Sequence, residues 1–484
     1  MAQPQLGRFG DRRLALVGDS LLAAMQKQRT MCLHALAENR SQARQFHRFL
    51  DNEAVSTREM LVQAGRRTAE RAAGRHVLAI TDTSELNYAT HTGRKRGFGT
   101  VGNGEDLGVL LHPVIAVDAE QGGLIGLVGA EVINRPESQS PLAATKKACL
   151  KRRLGAETLK RRPADEKESR RWLAGAETAG AVLADAAMIT MVEDREGDIY
   201  DQFARACPCE GGRPDNVHLL VRAARSRMLE DNDRLFERCA AWSAVTQHTI
   251  RVPAKHGKVP RAERTAVVAV RYGEVTVKRP RRADDELPET LSLRVVDVRE
   301  VDPPADPDQR VHWCLLTTHA VGSTAEAMRI VAWYRLRWII EQVFRTMKTD
   351  GVDVETSQIT TPGSLLKLVT VALLAAIRVM QLVIGRDGST GQELTDVADP
   401  IELPALQAIS TSLEGRTEKL KNPFDPASLA WYAWIAARLG GWSGYTSKGY
   451  KPPGPKTMAR GLKRLDAMVQ GWMLANRSAV VGLP

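Results

Sequence analysis

The stretch HVLAITDT, residues 76–83, decides the fold. Its first five residues form a short, wholly apolar run, which is typical of a strand that is covered on both faces of a sheet. The run ends abruptly at Asp82. A second run of this kind, MITMV at residues 188–192, is followed by Glu193 and Asp194. We therefore predict two buried strands that each end at an aspartate.

Further strands and a helix are predicted around these two runs. Residues 109–117 and 124–132 predict two strands, residues 166–187 predict a helix, and residues 218–222 predict another strand. This alternation is typical of an α/β fold with a mixed sheet. Together with a late helix that bears Glu341, the element order is that of a ribonuclease H-like nuclease domain.

Changes of pattern divide the chain into three predicted domains. Residues 1–74 read as a basic helical domain that contacts DNA ends, since 12 Lys and Arg stand against 7 Asp and Glu. Residues 75–385 form the predicted catalytic domain. Within it, residues of about 245–318 alternate and are rich in β-branched side chains, which indicates an all-β insertion. Residues 386–484 are again helical in pattern, and we expect them to pair subunits.

The composition is that of a folded globular protein, with 43% hydrophobic and 26% charged residues. The most apolar stretch, residues 365–384, is interrupted by Lys367 and Arg378, so no membrane span is expected. The first 20 residues contain charges but no hydrophobic signal core, so we expect a cytoplasmic protein.

Charge points to a polyanionic partner. The formal net charge is +11, and the basic residues cluster within residues 146–162 and 278–282. Each cluster alone is also typical of an ordinary solvated loop. Charge therefore favours DNA as a partner without deciding the matter.

The six cysteines are sparse in a chain of 484 residues. Only Cys207 and Cys209 lie close in sequence, and no second pair follows at a spacing typical of zinc ligands. We expect reduced thiols with structural roles.

A polar stripe is predicted on one late helix. Ser323 opens this helix with a capping box, Ser-Thr-Ala-Glu. At 100° per residue, Tyr334, Arg337, Glu341 and Lys348 fall within a stripe about 60° wide, opposite an apolar stripe. We expect the four to share one outward surface. An ordinary solvated helix face with ion pairs is the alternative.

Three carboxylates are candidates for a metal-dependent active site. Asp82 and Asp194 end buried strands, and Glu341 lies on the predicted helix. Carboxylate oxygens suit hard divalent cations, and two such ions can activate a nucleophile and stabilise the leaving oxygen of a phosphodiester. We expect two Mg²⁺ ions, which Mn²⁺ could replace, with Asp82 as the bridging ligand. The alternative for each aspartate is a turn cap, and Glu196 and Asp198 are rivals of Asp194.

Several motifs carry a resemblance to a known family. The spacing Tyr334-x2-Arg337-x3-Glu341-x6-Lys348 resembles the signature of the bacterial insertion-sequence transposases of the insertion sequence four family. The other similar stretches are ITDT at 80–83, DREGDI at 194–199, EKES at 166–169 with Trp172, AARLGGW at 436–442, and Trp313, 28 residues before Glu341. The likeness covers roughly residues 75–445.

The resemblance implies a DDE-type, ribonuclease H-like transposase of the cut-and-paste kind. Such an enzyme binds the terminal repeats of its element, cleaves them through a hairpin intermediate and joins them to target DNA. Two DNA ends require two active sites, so the resemblance also implies a homodimer on DNA. Asp82, Asp194 and Glu341 would be the catalytic, metal-binding residues.

The same resemblance assigns DNA contacts. Tyr334, Arg337 and Lys348 would hold phosphates near the scissile bond, and Arg345 and Arg222 are weaker candidates for this role. Trp313 would stack on an extruded base, although a tryptophan buried in the core is the alternative.

Two other functions stay open from the sequence. One is a structure-selective nuclease that cuts DNA without joining it, and the other is a catalytically silent DNA-binding regulator of transposition. The segment at 146–162 lengthens the gap between the two aspartates relative to the family pattern. The ends of the chain match it loosely.

Overall fold

The computed structural model describes residues 5–91, 93, 95–102, 106–135, 170–206, 216–252, 262–281, 283–349, 352–444 and 451–476. The basic segment at 146–162, the motif at 166–169 and the pair Cys207 and Cys209 lie outside the described residues. Contacts group the chain into two compact units, the strand-rich unit (His76–Asp82 and Leu150–Trp338) and the helix-rich unit (Met1–Arg75, Thr83–Cys149 and Ile339–Pro484). The domain boundaries predicted near residues 74 and 385 stay a prediction.

Strands and helices follow one another along the chain as the apolar patterns indicate. The strands are β1 (His76–Thr81), β2 (Ser84–Asn87), β3 (Thr100–Val101), β4 (Asp106–Asp118), β5 (Leu124–Ile133), β6 (Met188–Glu193), β7 (Val217–Arg222), β8 (Thr246–Val252), β9 (Arg264–Lys278), β10 (Thr290–Glu300) and β11 (His312–Thr317). The helices are α1 (Arg12–Gln28), α2 (Leu33–Leu36), α3 (Arg40–Asp51), α4 (Thr57–Ala72), α5 (Arg170–Val182), α6 (Tyr200–Ala206), α7 (Leu235–Ala241), α8 (Thr324–Leu336), α9 (Trp338–Lys348), α10 (Pro362–Gly385), α11 (Leu403–Leu413), α12 (Leu429–Leu439) and α13 (Pro455–Ala475).

The strand-rich unit contains a mixed sheet in the order β1-β6-β7-β11-β10-β9-β8. Strands β1, β6 and β7 are parallel, and β11, β10, β9 and β8 continue the sheet as antiparallel neighbours. β1 and β6 are buried along almost their whole length, which explains their continuous apolar sequences. The predicted all-β insertion therefore extends the central sheet.

Helices cover both faces of this sheet. The ring of Trp313 on β11 lies 5.8 Å from the ring of Tyr334 on α8, whereas the ring of its neighbour His312 lies 5.2 Å from that of Phe236 on α7. Successive side chains of a strand point to opposite faces. Helices α8 and α7 thus pack on opposite faces of the sheet.

The helix-rich unit has its own core. Strand β4 pairs with β2, β3 and β5, and α4 packs on β5. Among the described helices, α10 is long and apolar enough to span a membrane, with a mean hydropathy of 2.2, but 89% of that window is buried inside the protein. Helices α11, α12 and α13 pack with the end of α10 in an apolar cluster. Helix α10 is therefore buried in the way that a core helix of a folded protein is.

The predicted fold class is confirmed. The described residues form an α/β structure with a large mixed sheet and helical flanks, consistent with the ribonuclease H-like fold. Ser323 is the N-cap of α8, and its hydroxyl accepts a hydrogen bond from the N–H of Glu326, as the capping box predicts.

The prediction of one continuous helix that carries an outward polar stripe is wrong. Helix α8 ends at Leu336, and α9 begins at Trp338. Between them, the N–H of Arg337 bonds to the carbonyl of Tyr334 at 3.1 Å, which tightens the turn. Tyr334 is only 6% exposed. The helical pattern assumes that the side opposite the core faces water, but the ring of Tyr334 packs against Trp313.

Candidate active site at the carboxyl ends of the parallel strands

The register of the parallel strands aligns three of the predicted site residues. β1 pairs with β6 so that Ile80 lies opposite Val192, and two more residues along this register lead to Asp82 and Asp194. β6 pairs with β7 so that Glu193 lies opposite Val221, and the next residues are Asp194 and Arg222. Neighbouring strands are about 4.8 Å apart. Asp82, Asp194 and Arg222 therefore lie side by side at the ends of three adjacent strands, and we call the two carboxylates, Asp82 and Asp194, the acidic row.

Asp82 is paired with Arg337. Nη1 of Arg337 donates to Oδ2 of Asp82 at 2.8 Å, and the two side chains are 16% and 19% exposed. Partial burial strengthens such a charge-assisted bond relative to a surface pair. The signature arginine, expected to hold a phosphate, is thus bound in the protein alone to Asp82, the first of the candidate catalytic carboxylates.

Asp194 caps the turn that follows β6. Its Oδ1 accepts a hydrogen bond from the N–H of Glu196 at 2.7 Å, so the turn-cap alternative is realised for this residue. One carboxylate oxygen can cap a turn while the other serves as a ligand, because each oxygen has two lone pairs. Capping also fixes the direction of the side chain.

The rival acids have other partners. Glu196 pairs with Arg171 at 2.8 Å. Asp198 is buried, forms an ion pair with Arg227 and accepts a hydrogen bond from the N–H of Ala224 at 2.8 Å. Sequence reasoning did not find this buried pair, since the sequence around Arg227 carries no signal for it. The two interactions leave Asp194 as the stronger candidate.

Tyr334 lies among the charges of this site. Burial raises the pKa of its phenol, and the nearby guanidinium groups of Arg337 and Arg222 oppose that effect. Burial lowers the pKa of Arg222. The neighbouring phenol of Tyr334 raises the same pKa and so partly offsets the effect of burial. Nη2 of Arg222 also donates to the carbonyl of His312 at 2.5 Å. Arginine keeps its charge in proteins, so the acidic row is flanked by two cations.

Trp313 is partly buried at the wall of a small apolar cavity of about 50 Å³. The cavity is lined by residues from β8–β11 and α8: His248, Ile250, Val268, Val270, Val298, Trp313, Met328, Val331, Ala332 and Arg335. Both roles of Trp313 stay predictions, because its indole packs against Tyr334 while part of the side chain remains exposed.

The remaining predicted residues belong to the helix-rich unit. Glu341 is partly buried on α9, where Ile340, Val343 and Met347 form the predicted buried stripe. Lys348 donates to the carbonyl of Glu85 and lies 3.7 Å from Glu355 Oε1. Arg345 is exposed on the same helix. The structure thus brings together Asp82, Asp194, Arg222, Tyr334 and Arg337 in the strand-rich unit.

The donor set of the acidic row fits a hard divalent cation. Two adjacent carboxylates of like charge repel each other, and a cation between them relieves that repulsion. In the protein alone, Arg337 supplies part of the compensating positive charge. Asp82 and Asp194 are therefore suited to hold an ion such as Mg²⁺.

Adjacent carboxylates at the ends of parallel strands are donors that suit divalent cations, and this arrangement is compatible with the class of metal-dependent enzymes that transfer phosphoryl groups. The family comparison agrees with this class: residues 163–377 match the transposase DDE domain. The match spans less than half of the chain and includes Asp194 and Glu341, whereas Asp82 precedes it. It supports a DDE-type transposase, an enzyme that acts on DNA with divalent metal ions.

Proposed function

We propose that the protein is a cut-and-paste DNA transposase of the insertion sequence four family. It would bind the ends of its element, cleave them by way of a hairpin and join them to target DNA. The alignment of Asp82 with Asp194 by the strand register carries this proposal. The match to a transposase DDE domain supports it.

Asp82 and Asp194, completed by Glu341, are the proposed catalytic and metal-binding residues. Bound Mg²⁺ or Mn²⁺ would activate the attacking water or 3′-hydroxyl and stabilise the leaving oxygen. The protein's part is to hold the carboxylates in a fixed arrangement. The N–H of Glu196 orients Asp194, and Arg337 orients Asp82.

Arg337 has a second proposed role. Oδ2 of Asp82, which accepts the hydrogen bond from Arg337, is one of the two oxygens through which the carboxylate could bind a metal ion. A DNA phosphate also carries a negative charge, and its two oxygens can accept from the guanidinium bidentately. Binding of DNA would therefore draw Arg337 from the carboxylate to the phosphate and free Asp82 for metal. Engagement of DNA and loading of metal would be coupled by this exchange.

Other side chains would position the DNA. Tyr334 and Arg222 are held beside the acidic row, where a phosphate next to the scissile bond would find both a phenol and a guanidinium. We assign Lys348 and Arg345 to further phosphates. Trp313, at its apolar cavity, would stack on an extruded base.

The domain roles complete the proposal. Residues 1–74 would recognise the terminal repeats, and residues 386–484 would pair two subunits so that two DNA ends are processed together. Helices α1, α3 and α4 show that the described part of the first segment is helical, as a small DNA-binding domain often is. A homodimer on DNA is proposed because each end needs its own active site.

The decisive experiment uses the full chain, Mg²⁺ and DNA that carries the element's own ends. We expect nicked and hairpin products with the unmodified protein, and none with Asp82→Ala, Asp194→Ala or Glu341→Ala, while binding of DNA is retained. Glu196→Gln is the matched control, because it removes a neighbouring exposed acid whose partner is Arg171. Full activity in Asp82→Ala would refute the assignment.

Pre-cut ends distinguish the alternatives. A transposase joins such ends to target DNA, whereas a structure-selective nuclease leaves them unjoined. A silent regulator binds the ends and gives neither product. Mobility-shift assays on the same samples separate loss of binding from loss of chemistry.

A further inference from the structure

A second cluster of potential ligands lies in the strand-rich unit, away from the acidic row. Among the described residues, one ligand atom each of Cys239, Asp297 and Cys314 lie within 4.8 Å of one another. All three are buried, with exposures of 0%, 0% and 2%. Cys239 and Cys314 are free cysteines. We call this set the thiol cluster.

The fold builds the thiol cluster from three elements. Asp297 on β10 lies directly opposite Cys314 on β11, so the two side chains share one face of the sheet. Helix α7 covers that face and contributes Cys239. Cys314 follows Trp313, whose side chain points to the opposite face. The thiol cluster and the Trp313 cavity are thus on opposite faces.

A fourth donor stands beside the cluster. Nε2 of His312 lies 2.8 Å from Oδ1 of Asp297. His312 is two residues before Cys314 on β11, so it shares the same face. Its ring also contacts Phe236 of α7. If the imidazole turned from Asp297, the same nitrogen could bind a metal ion that Asp297 also binds.

Arg299 balances the charge of the cluster. Its Nε lies 3.3 Å from Oδ2 of Asp297, and its Nη2 donates to the carbonyl of Phe236 at 3.3 Å. The hydrogen bond between the two thiols, together with burial, raises the pKa of Cys314 well above its ordinary value. Without a metal, the thiol of Cys314 is therefore neutral, and Asp297 lies beside Arg299 and His312.

We propose that Cys239, Cys314, Asp297 and His312 bind one structural Zn²⁺ ion. Soft thiolates with an imidazole and a carboxylate are a donor set that zinc favours, and four ligands complete its tetrahedral shell. On binding, each thiol releases one proton and forms one Zn–S bond, so Zn²⁺ replaces two protons and the net charge of the cluster is unchanged.

The ion would fasten α7 to the sheet. Helix α7 has only seven residues, and the side chain of its N-cap residue, Arg234, makes no capping hydrogen bond. Such a short helix depends on tertiary contacts for its stability. A link from Cys239 to β10 and β11 would supply a strong one. This role does not depend on whether the chain transposes DNA.

The test measures zinc in the full-length protein, purified under reducing conditions, incubated with ZnCl₂ and desalted. We expect one zinc per chain by mass spectrometry of the metal. The variant Cys239→Ser/Cys314→Ser should lose it. The matched control, Cys207→Ser/Cys209→Ser, removes the same number of thiols from the pair that is close in sequence and should keep it. Equal zinc in both variants, or none in the unmodified protein, would overturn the proposal.

Cobalt gives a readout that does not depend on stability. Co²⁺ bound by thiolates shows an intense sulfur-to-metal charge-transfer absorption in the near ultraviolet. We expect this band for the unmodified protein and for Cys32→Ser, which changes an exposed thiol. Single variants Cys314→Ser and Asp297→Asn, checked for folding by circular dichroism, should weaken or shift it. A folded Cys314→Ser variant with an unchanged band would refute the site.

Discussion

The acidic row and the thiol cluster stand on the same sheet of the strand-rich unit, yet they are built in opposite ways. Asp82 and its partner Arg337 keep 19% and 16% of their side-chain surface exposed, whereas Asp297 is fully buried beneath α7. The row lies beyond the ends of parallel strands, where backbone pairing stops. The thiol cluster lies within an antiparallel ladder.

The difference in burial and in donor atoms suits each of the two sites to a different function. At the strand ends, oxygen donors are accessible and paired with a side chain that can turn toward another anion, which suits a site that exchanges metal, DNA and water. In the ladder, sulfur donors are shielded and held by regular structure, which suits an ion that stays bound. Burial is costly for a charge unless partners compensate it, so Asp297 depends on His312 and Arg299.

Two equivalent substitutions provide the strongest test of this comparison. Asp297→Asn removes a buried charge from its partners and should lower the free energy of unfolding by about 3–5 kcal/mol. Asp82→Asn should change it by about 1 kcal/mol or less, because relief of repulsion from Asp194 offsets the lost ion pair. Cleavage of element ends should fall by roughly 10³-fold or more in Asp82→Asn. Chemical denaturation and single-turnover cleavage measure the two effects.

A different pattern would contradict the contrast. If Asp82→Asn destabilised the protein as strongly as Asp297→Asn, then the acidic row would be a structural ion-pair site. Unfolding should be measured with a chelator present, so that loss of zinc does not enter the comparison.

The exchange proposed for Arg337 predicts a smaller effect. Arg337→Ala frees Asp82 from its counterion, so Mn²⁺ should bind the DNA-free protein about tenfold more tightly, a difference of about 1.4 kcal/mol. Arg335→Ala is the matched control, because Arg335 is an exposed arginine two residues away on α8. Electron paramagnetic resonance of free Mn²⁺ reports the affinity without any need for activity. Unchanged or weaker binding in Arg337→Ala would exclude the exchange.

A histidine cluster lies near the amino ends of β1, β6 and β7. It determines the pH range in which the free energies of unfolding can be compared. His319 is buried, its ring stacks on that of His218 at 4.0 Å, and its Nε2 lies 2.7 Å from the hydroxyl of Thr190. His76 contacts the same hydroxyl at 2.8 Å. Burial, with smaller contributions from His218, His76 and Arg329, lowers the pKa of His319 to about 3.

This pKa predicts acid sensitivity. An unfolded histidine has a pKa of about 6.5, so the unfolded state binds the proton first as the pH falls, and stability is lost between pH 6.5 and about 3 at up to about 1.4 kcal/mol per unit. Above pH 6.5 the effect vanishes. The variant His319→Gln should flatten this part of the stability curve measured by urea denaturation. An unchanged slope would assign the acid sensitivity to other groups.

Much of the fold could be read from the sequence because continuous apolar runs and capping residues act locally. The run at residues 76–80 predicted β1, and Ser323 predicted the start of α8. The helical spacing of Tyr334 and Arg337 was less informative. Spacing shows which residues share a side of a helix, but it does not show that a second layer, here the β11 side chain of Trp313, covers that side.

The local chemistry of the two aspartates was present in the sequence alone: each follows a buried strand, and each can cap a turn or bind a metal. Their alignment came from the register of β1 with β6, which depends on hydrogen bonds between distant segments. The pairing of Asp82 with Arg337 and the meeting of Cys239, Asp297 and Cys314 likewise arise from the folded sheet. Contacts between residues far apart in sequence leave no periodic pattern, and so they become visible only after the chain has folded.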